Sequence, residues 1–387
     1  MPASPFLVRG GMMSDENPLI SLTVCVRNGV DWVDGCLESL KSQTYRPIEI
    51  LAVDDGSSDG STEKLLAWHD EHAEIPVRVH TQEAKGLSAG RQWAVENSNG
   101  AWVAITDIDV RPEQDWISNL VEMSAPIDED ETVVAVTGRT VFEHEGDIVS
   151  RLRSVEIATK YRSRPRRTSL ANGPCSMFER ESLLAVGGFD PQWYHAEDME
   201  VSLRLNAAGG TIVYAPDAVV HHVPEKEKSR FLAKRKRDAR AHMRIVRHFP
   251  RSRRSGPGLD FIGSSTIVLT VFPLWIMALV SGIPFGFSFF TEENWTWEVA
   301  KTRWQTQMLV VTVLMMIVHE IILWYGPLGV VNRGALRAGR LSFLEILRVR
   351  KLTMKWSIAL WQGLLLGAKD ALLGHNGHRR LFSKKPK

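Results

Sequence analysis

From Phe261 to Phe290 the chain runs for thirty residues essentially without charge. A bilayer accommodates such a segment, since about 20 apolar residues suffice to cross its hydrocarbon core. Pro273 and Pro284 lie within it, and a membrane helix tolerates proline better than an exposed soluble one. Met308 to Tyr325 offers a second, slightly short span carrying His319 and Glu320. These runs divide the chain. Up to about Phe249 apolar and charged residues mix as in a soluble domain, whereas beyond Asp260 apolar runs alternate with short basic ones. The expected organisation is a flexible N-terminus over 1–17, an α/β domain over 18–225 and a basic juxtamembrane segment over 226–260. Two transmembrane helices over 261–326 and a basic region over 327–387 complete it.

The flanking residues orient the spans. Trp295, Trp297 and Trp304 stand between them as interfacial anchors in a loop with little positive charge, where Asn294-Trp295-Thr296 also fits a glycosylation sequon. Arg333, Arg337, Arg340, Arg348, Arg350 and Lys351 crowd the next loop, which the positive-inside rule assigns to the cytoplasm together with the first domain. Trp356 to Ala368 is too short to cross comfortably, and both its flanks are basic, including Arg379, Arg380, Lys384, Lys385 and Lys387. An interfacial or re-entrant helix is expected there, with a tilted third span from Leu352 to Leu373 as the alternative. His319 and Glu320 are costly inside a span. Either they meet a lipid phosphate or its glycan, or they reach the interface or pair with each other.

The formal charge of +2 conceals the run from Lys226 to Arg254, opposed only by Glu227 and Asp238. It reads either as a solvated helix face or as a belt for anionic headgroups, and its place beside a span favours the belt. The same position argues against nucleic acid as the partner. Cys25, Cys36 and Cys175 lack metal-type spacing and suggest no disulfide framework. Met1 to Asn17 holds no apolar stretch long enough for a signal peptide, so the first domain is expected to stay on the side where it is made.

Within that domain, Leu19 to Val26, Ile48 to Val53 and Trp102 to Thr106 are β-branched runs that each lead into a polar turn. Helical periodicity fills the gaps at Trp32 to Gln43, Ser61 to His72 and Leu87 to Asn97. Alternating strands and helices indicate a parallel sheet, whose ligands bind beyond the carboxyl ends of its strands. Those ends carry Arg27 and Asn28, then Asp54 and Asp55, then Asp107 and Asp109. Asp54-Asp55-Gly56-Ser57-Ser58-Asp59 alone could be a turn and helix cap. In Asp107-Ile108-Asp109, by contrast, two carboxylates can lean towards one hard cation and leave its other positions for diphosphate oxygens.

Taken in order, the segments Ser21 to Asn28, Cys36 to Thr44, Glu49 to Asp59, Gly86 to Arg91, Asp107 to Asp109, Asn172-Gly173, Gly187 to Asp190, Glu197-Asp198 and Leu203-Arg204-Leu205 resemble family 2 glycosyltransferases of the GT-A fold. The resemblance covers about residues 18 to 225 and implies a Rossmann-like nucleotide-sugar domain ahead of the helical membrane region. It implies that Asp54 or Asp55 holds the base or ribose, that Arg27 and Asn28 line the donor site and that Arg91 lies near the diphosphate. Asp109, helped by Asp107, would bind Mg2+ or Mn2+, with His222 or its neighbour His221 as a further ligand. Asp198 would be the catalytic base and Glu197 would stand beside it near the acceptor. An acidic pair that merely complements a helix dipole is the other reading of Glu197-Asp198. Cys25 departs from the proline common in the family.

Such enzymes resemble one another in inverting the anomeric centre by a single in-line displacement. A sugar hydroxyl needs a positioned base, whereas a polyprenyl phosphate is already ionised. The Glu197-Asp198 pair therefore points to a hydroxyl of a lipid-linked sugar or glycan at the cytoplasmic membrane face. A polyprenyl or dolichyl phosphate sugar synthase is the nearer alternative and a polysaccharide synthase the further one, because no Gln-x-x-Arg-Trp sequence follows Asp198. An inactive transferase-like scaffold would have lost the carboxylates that are present here.

Overall fold

The computed structural model describes residues 17–71, 75–143, 147–162, 164–193, 195–259, 266–326 and 343–375. The expectations for 1–16, for Arg333, Arg337 and Arg340, and for the basic tail beyond 375 lie outside the described residues.

The α/β domain opens with β1 (Ile20–Val26), α1 (Val33–Lys41), β2 (Ile48–Asp54), α2 (Ser61–Glu71), β3 (Val77–Thr81), α3 (Leu87–Asn97) and β4 (Trp102–Asp107). The four strands run parallel in the order β3-β2-β1-β4. β2 is buried along its whole length, which is why it reads as a continuous apolar run rather than an alternation. After β5 (Val110–Pro112) and α4 (Trp116–Glu122) come β6 (Val133–Phe142), α5 (Ile148–Tyr161), β7 (Arg167–Thr168), β8 (Ser176–Glu179), α6 (Arg180–Ala185), α7 (Glu197–Ala207) and β9 (Thr211–His222). β8 enters antiparallel between β4 and β6, and β9 runs parallel to β6 and antiparallel to β5. The sheet thus has a parallel half and a mixed half, joined at β4 and β8. Ile20, Leu22, Leu37, Leu40, Ile50 and Trp116 close one face, while Val103, Ile105, Phe178, Phe189 and Leu205 close the other. Cys25, Cys36 and Cys175 remain free thiols, and burial pushes each of them up to about 12.

The basic run forms α8 (Lys228–His248). Neither sequence reading of it holds for its whole circumference, because Phe231, Arg235, Ala239, Arg244 and Ile245 are buried. Phe231 and Ala239 pack on α13 (Phe343–Leu372), the element that contains the short apolar stretch Trp356 to Ala368, whereas Ile245 packs with Trp193, Ala196 and Met199 and Arg244 lies over the Trp193 ring. The two helices meet closely: a Cβ at Gly363 would strike the Lys236 carbonyl, and one at Gly367 would strike Met243. Phe231 meets Trp356 edge to face at 5.2 Å, and Arg240 grips Asp370 through two hydrogen bonds of 2.5 and 2.7 Å.

Two further helical segments are long and apolar enough to cross a membrane, Thr266–Thr291 and Trp304–Tyr325. The first consists of α9 (Thr266–Leu269) and α10 (Val271–Thr291), the second is α12 (Trp304–Tyr325), and α11 (Trp297–Ala300) lies between them. Pro273 explains the break at Thr270, because it has no N–H to donate to the carbonyl of Leu269. The freed Leu269 carbonyl accepts instead from Ser357 Oγ at 3.1 Å and Trp361 Nε1 at 2.9 Å, both on α13. Ile283, Phe287 and Phe290 are exposed apolar side chains among the described residues, the kind of surface a bilayer would cover. His319 and Glu320 do not pair with each other: His319 bonds the Ile267 carbonyl at 2.8 Å and Glu320 binds Arg350.

Candidate active site

Register places the polar strand ends together. Val26 lies opposite Asp54, and Cys25 opposite Asp107, so the turns after β1, β2 and β4 open on one edge of the sheet. Asn28, at φ 51°, accepts a hydrogen bond from Ser58 N at 2.9 Å while its own amide donates to Ser57 Oγ at 2.9 Å. Arg27 reaches to 3.7 Å from Asp55. Asp55 uses its acceptor capacity on the protein, taking Gln82 Nε2 at 2.8 Å and the amides of Lys85 and Gly86 at 2.7 and 3.0 Å. Asp54 takes only Ser57 N on Oδ2, at 3.1 Å, and its buried Oδ1 has no hydrogen-bond partner.

On the other side of β1, Asp109 leads into β5, whose Val110 pairs with His222 of β9. This brings His222 Nε2 to 3.5 Å from Asp109 Oδ2. The imidazole stacks on Phe142 at 4.3 Å, and Nδ1 lies 2.8 Å from the Val223 carbonyl. A carbonyl can only accept, so Nδ1 carries a proton and donates it, which leaves Nε2 facing Asp109. His221, one residue earlier on the strand, points the opposite way and bridges Glu113 and Glu143 at 2.8 and 2.7 Å. Burial opposes its protonation, but these two carboxylates raise its pKa. No cluster of three or more His, Cys, Asp or Glu side chains suited to a metal occurs among the described residues. Asp109 and His222 could together hold a cation that takes its remaining ligands from elsewhere.

Arg91 lies beneath the site rather than on its surface. It is 2% exposed, donates from Nη1 to Glu197 at 2.7 Å and from Nη2 to Asp107 at 2.9 Å, and thereby ties β4 to the start of α7. Gly173 lies against the same guanidinium, where a Cβ would come within 3.1 Å of Nη2. Its amide donates to Asp198 Oδ2 at 3.1 Å, and Met199 N donates to Oδ1 at 2.8 Å. α7 begins at Glu197, so both acids do occupy a helix N-terminus, Glu197 against the Arg91 guanidinium and Asp198 against the Gly173 amide. Ala196 enters the helix at φ 57°, a left-handed conformation that an alanine rarely adopts. Burial pushes Glu197 up to about 7 against the attraction of Arg91, and raises Asp198 as well. An Asp raised in this way is a better proton acceptor than an ordinary one.

Sequence reasoning did not find the Arg91 tie, the Gly173 amide that holds Asp198 or the ring of Phe142 behind His222. The Asn172-Gly173 motif was the available signal for the second of these. The other two depend on contacts between residues more than fifty positions apart.

Residues 21–187 match the family model described as glycosyl transferase family 2. The Bacillus subtilis protein EpsH is 28% identical over 222 residues, covering 54% of this chain and 61% of its own length. Glycosyltransferase AglE of Haloferax volcanii is 25% identical over 239 residues, covering 60% of this chain and 76% of its own. Among solved structures, the mannosyltransferase PcManGT of Pyrobaculum calidifontis, in complex with GDP-mannose and Mn2+, superposes with a TM-score of 0.53. At 20% identity it covers 91% of this chain and 88% of its own, a likeness of fold that extends beyond the sheet. The strand order, the acidic strand ends and these matches together make residues 21–187 a domain similar to glycosyl transferase family 2, with a GT-A fold.

Proposed function

We propose that the enzyme is inverting and moves one sugar from a nucleotide sugar to a hydroxyl of a lipid-linked sugar or glycan at the cytoplasmic face of a membrane. The observation that carries this reading is Asp198, oriented by two backbone amides and raised in pKa by burial. Ionised polyprenyl phosphate has little use for such a base, whereas a hydroxyl does. Asp54, with Arg27 and Asn28 beside it, is assigned to the nucleoside, and Asp55 acts by fixing the loop that leads into α3. Asp109 and His222, with Asp107 adjacent, hold a divalent metal, Mg2+ or Mn2+. When bound, that metal stabilises the charge developing on the leaving nucleoside diphosphate. Asp198 takes the hydroxyl proton as the new bond forms, Glu197 stands at the acceptor side, and Arg91 keeps base and metal carboxylates in register.

In this reading Thr266–Thr291 and Trp304–Tyr325 anchor the domain as a multi-pass membrane protein, and the basic flanks in the sequence support a cytoplasmic catalytic domain. The test is transfer from a panel of radiolabelled nucleotide sugars into extracted lipids, with mild acid hydrolysis to classify the product. Transfer that vanishes in Asp198→Asn and yields a glycan-extended lipid supports the reading. Acceptance by bare polyprenyl phosphate alone overturns the hydroxyl acceptor, and protection of the domain from protease on the cytoplasmic side overturns the topology.

A further inference from the structure

A cleft of about 780 Å3 lies beside the site, between β6, α5, β9 and the segment that follows α5. Its lining includes Arg139, Arg162, Arg164 and Arg166, and among the described lining residues there is no Asp or Glu. The four are not equivalent. Arg166 is neutralised by Glu131 at 2.8 Å, and Arg164 is held by Thr168 at 3.1 Å and by the rings of Tyr161 and Tyr214 at 5.3 and 5.6 Å. Arg139 and Arg162 are exposed and have no carboxylate partner among the described residues. Like charges gathered around a cavity repel one another unless an anion joins them, and guanidinium groups suit phosphate oxygens.

The cleft is connected to both the base and the membrane helices. On one side Tyr161 Oη accepts from Asn172 Nδ2 at 2.9 Å, and the next residue, Gly173, donates to Asp198. On the other, α5 turns Ser154, Ala158 and Tyr161 to the cleft, while its Val149 and Leu152 pack with Val268, Leu323 and Trp356 of the membrane-side helices. A helix of this kind rises about 1.5 Å per residue, so Ser154 is roughly two turns from the membrane-side end of α5. In a lipid-linked acceptor the phosphate stands between the lipid and the sugar.

We propose that this cleft binds the phosphate or diphosphate ester of the acceptor through Arg139 and Arg162, with Arg164 and its tyrosines as the wall behind. The proposal rests on the reading of the acceptor as lipid-linked. It is tested on the full chain in detergent, with divalent metal chelated, by calorimetric titration of farnesyl diphosphate, inorganic pyrophosphate and farnesol. Both phosphates bind and farnesol does not. Arg139→Gln with Arg162→Gln weakens phosphate binding by about tenfold or more at an unchanged unfolding midpoint, and the corresponding double Lys variant keeps part of it. Tighter binding of farnesyl diphosphate than of pyrophosphate marks a lipid-borne ester as the ligand, and equal binding marks the phosphate group alone. Unchanged affinity in the double Gln variant overturns the proposal. Transfer only to bare polyprenyl phosphate would remove the hydroxyl acceptor and leave the cleft standing.

Discussion

Along the parallel half of the sheet, the polar residues of the site are sequence neighbours at strand ends, whereas the other half draws Arg139, Tyr161, Asn172 and Asp198 from separate elements. The first arrangement follows from the βαβ unit, which returns every strand end to the same edge. The second depends on β8 entering antiparallel and bringing Asn172 and Gly173 against α7. The half proposed to hold the donor is thus built largely from repeated local pieces, while the half proposed to hold the acceptor is assembled from distant ones. Arg91 joins the two, with one amino group on each.

The largest expected effects separate the halves by what each loses. Asp109→Ala removes the proposed metal ligand and Asp198→Asn the proposed base, and each is expected to lower transfer by about a thousandfold or more. Nucleotide binding in the presence of Mn2+ distinguishes them: it weakens in Asp109→Ala and persists in Asp198→Asn. Equal loss of nucleotide binding in both would show that the halves are one unit. Next comes the tie itself. Arg91→Met leaves Glu197 and Asp107 without their cation and costs about 3–5 kcal/mol, read from the denaturant midpoint of the full chain. Little change there would mean that the halves are held together by the sheet alone.

Acid and base sharpen the same division. The pKa of Glu197 is raised from the unfolded value of 4.5 to about 7 by burial, so the folded state binds the proton more tightly than the unfolded one. Its contribution to stability is complete below about 4.5 and is lost as the pH rises through about 7. The unfolding midpoint of the parent chain should therefore fall over that window relative to Glu197→Gln, whose profile is flatter. Parallel profiles would disprove the raised value.

The parallel half was legible from sequence because its signals are local: a β-branched run, a polar turn and a helical period. Leu87–Asn97 coincides with the periodicity, and β1, β2 and β4 fall within one residue of the apolar runs. In the mixed half, Glu197-Asp198 could be read only through resemblance. The arginines from Arg162 to Arg167 stand as a charge run in the sequence, but two of their partners, Glu131 and Tyr214, lie too far along the chain for spacing to reveal. The same limit applied to α8, whose composition suggested a solvent or lipid face until α13 was seen to cover part of it.

The smallest effect compares the two halves at equivalent strain. Asn28 and Ala196 both have left-handed backbone, at φ 51° and 57°. Alanine meets a steric penalty there of about 1–2 kcal/mol that asparagine largely avoids. Ala196→Gly relieves it but adds freedom to the unfolded chain, so the net gain is about 0.5 kcal/mol. Asn28→Gly relieves little and removes the acceptor for Ser58 N, so it destabilises by about 1 kcal/mol. Thermal unfolding of the two variants should thus move in opposite directions. Should both fall, the turn before α7 is not strained, and the position of Asp198 owes nothing to Ala196 beyond chain connectivity.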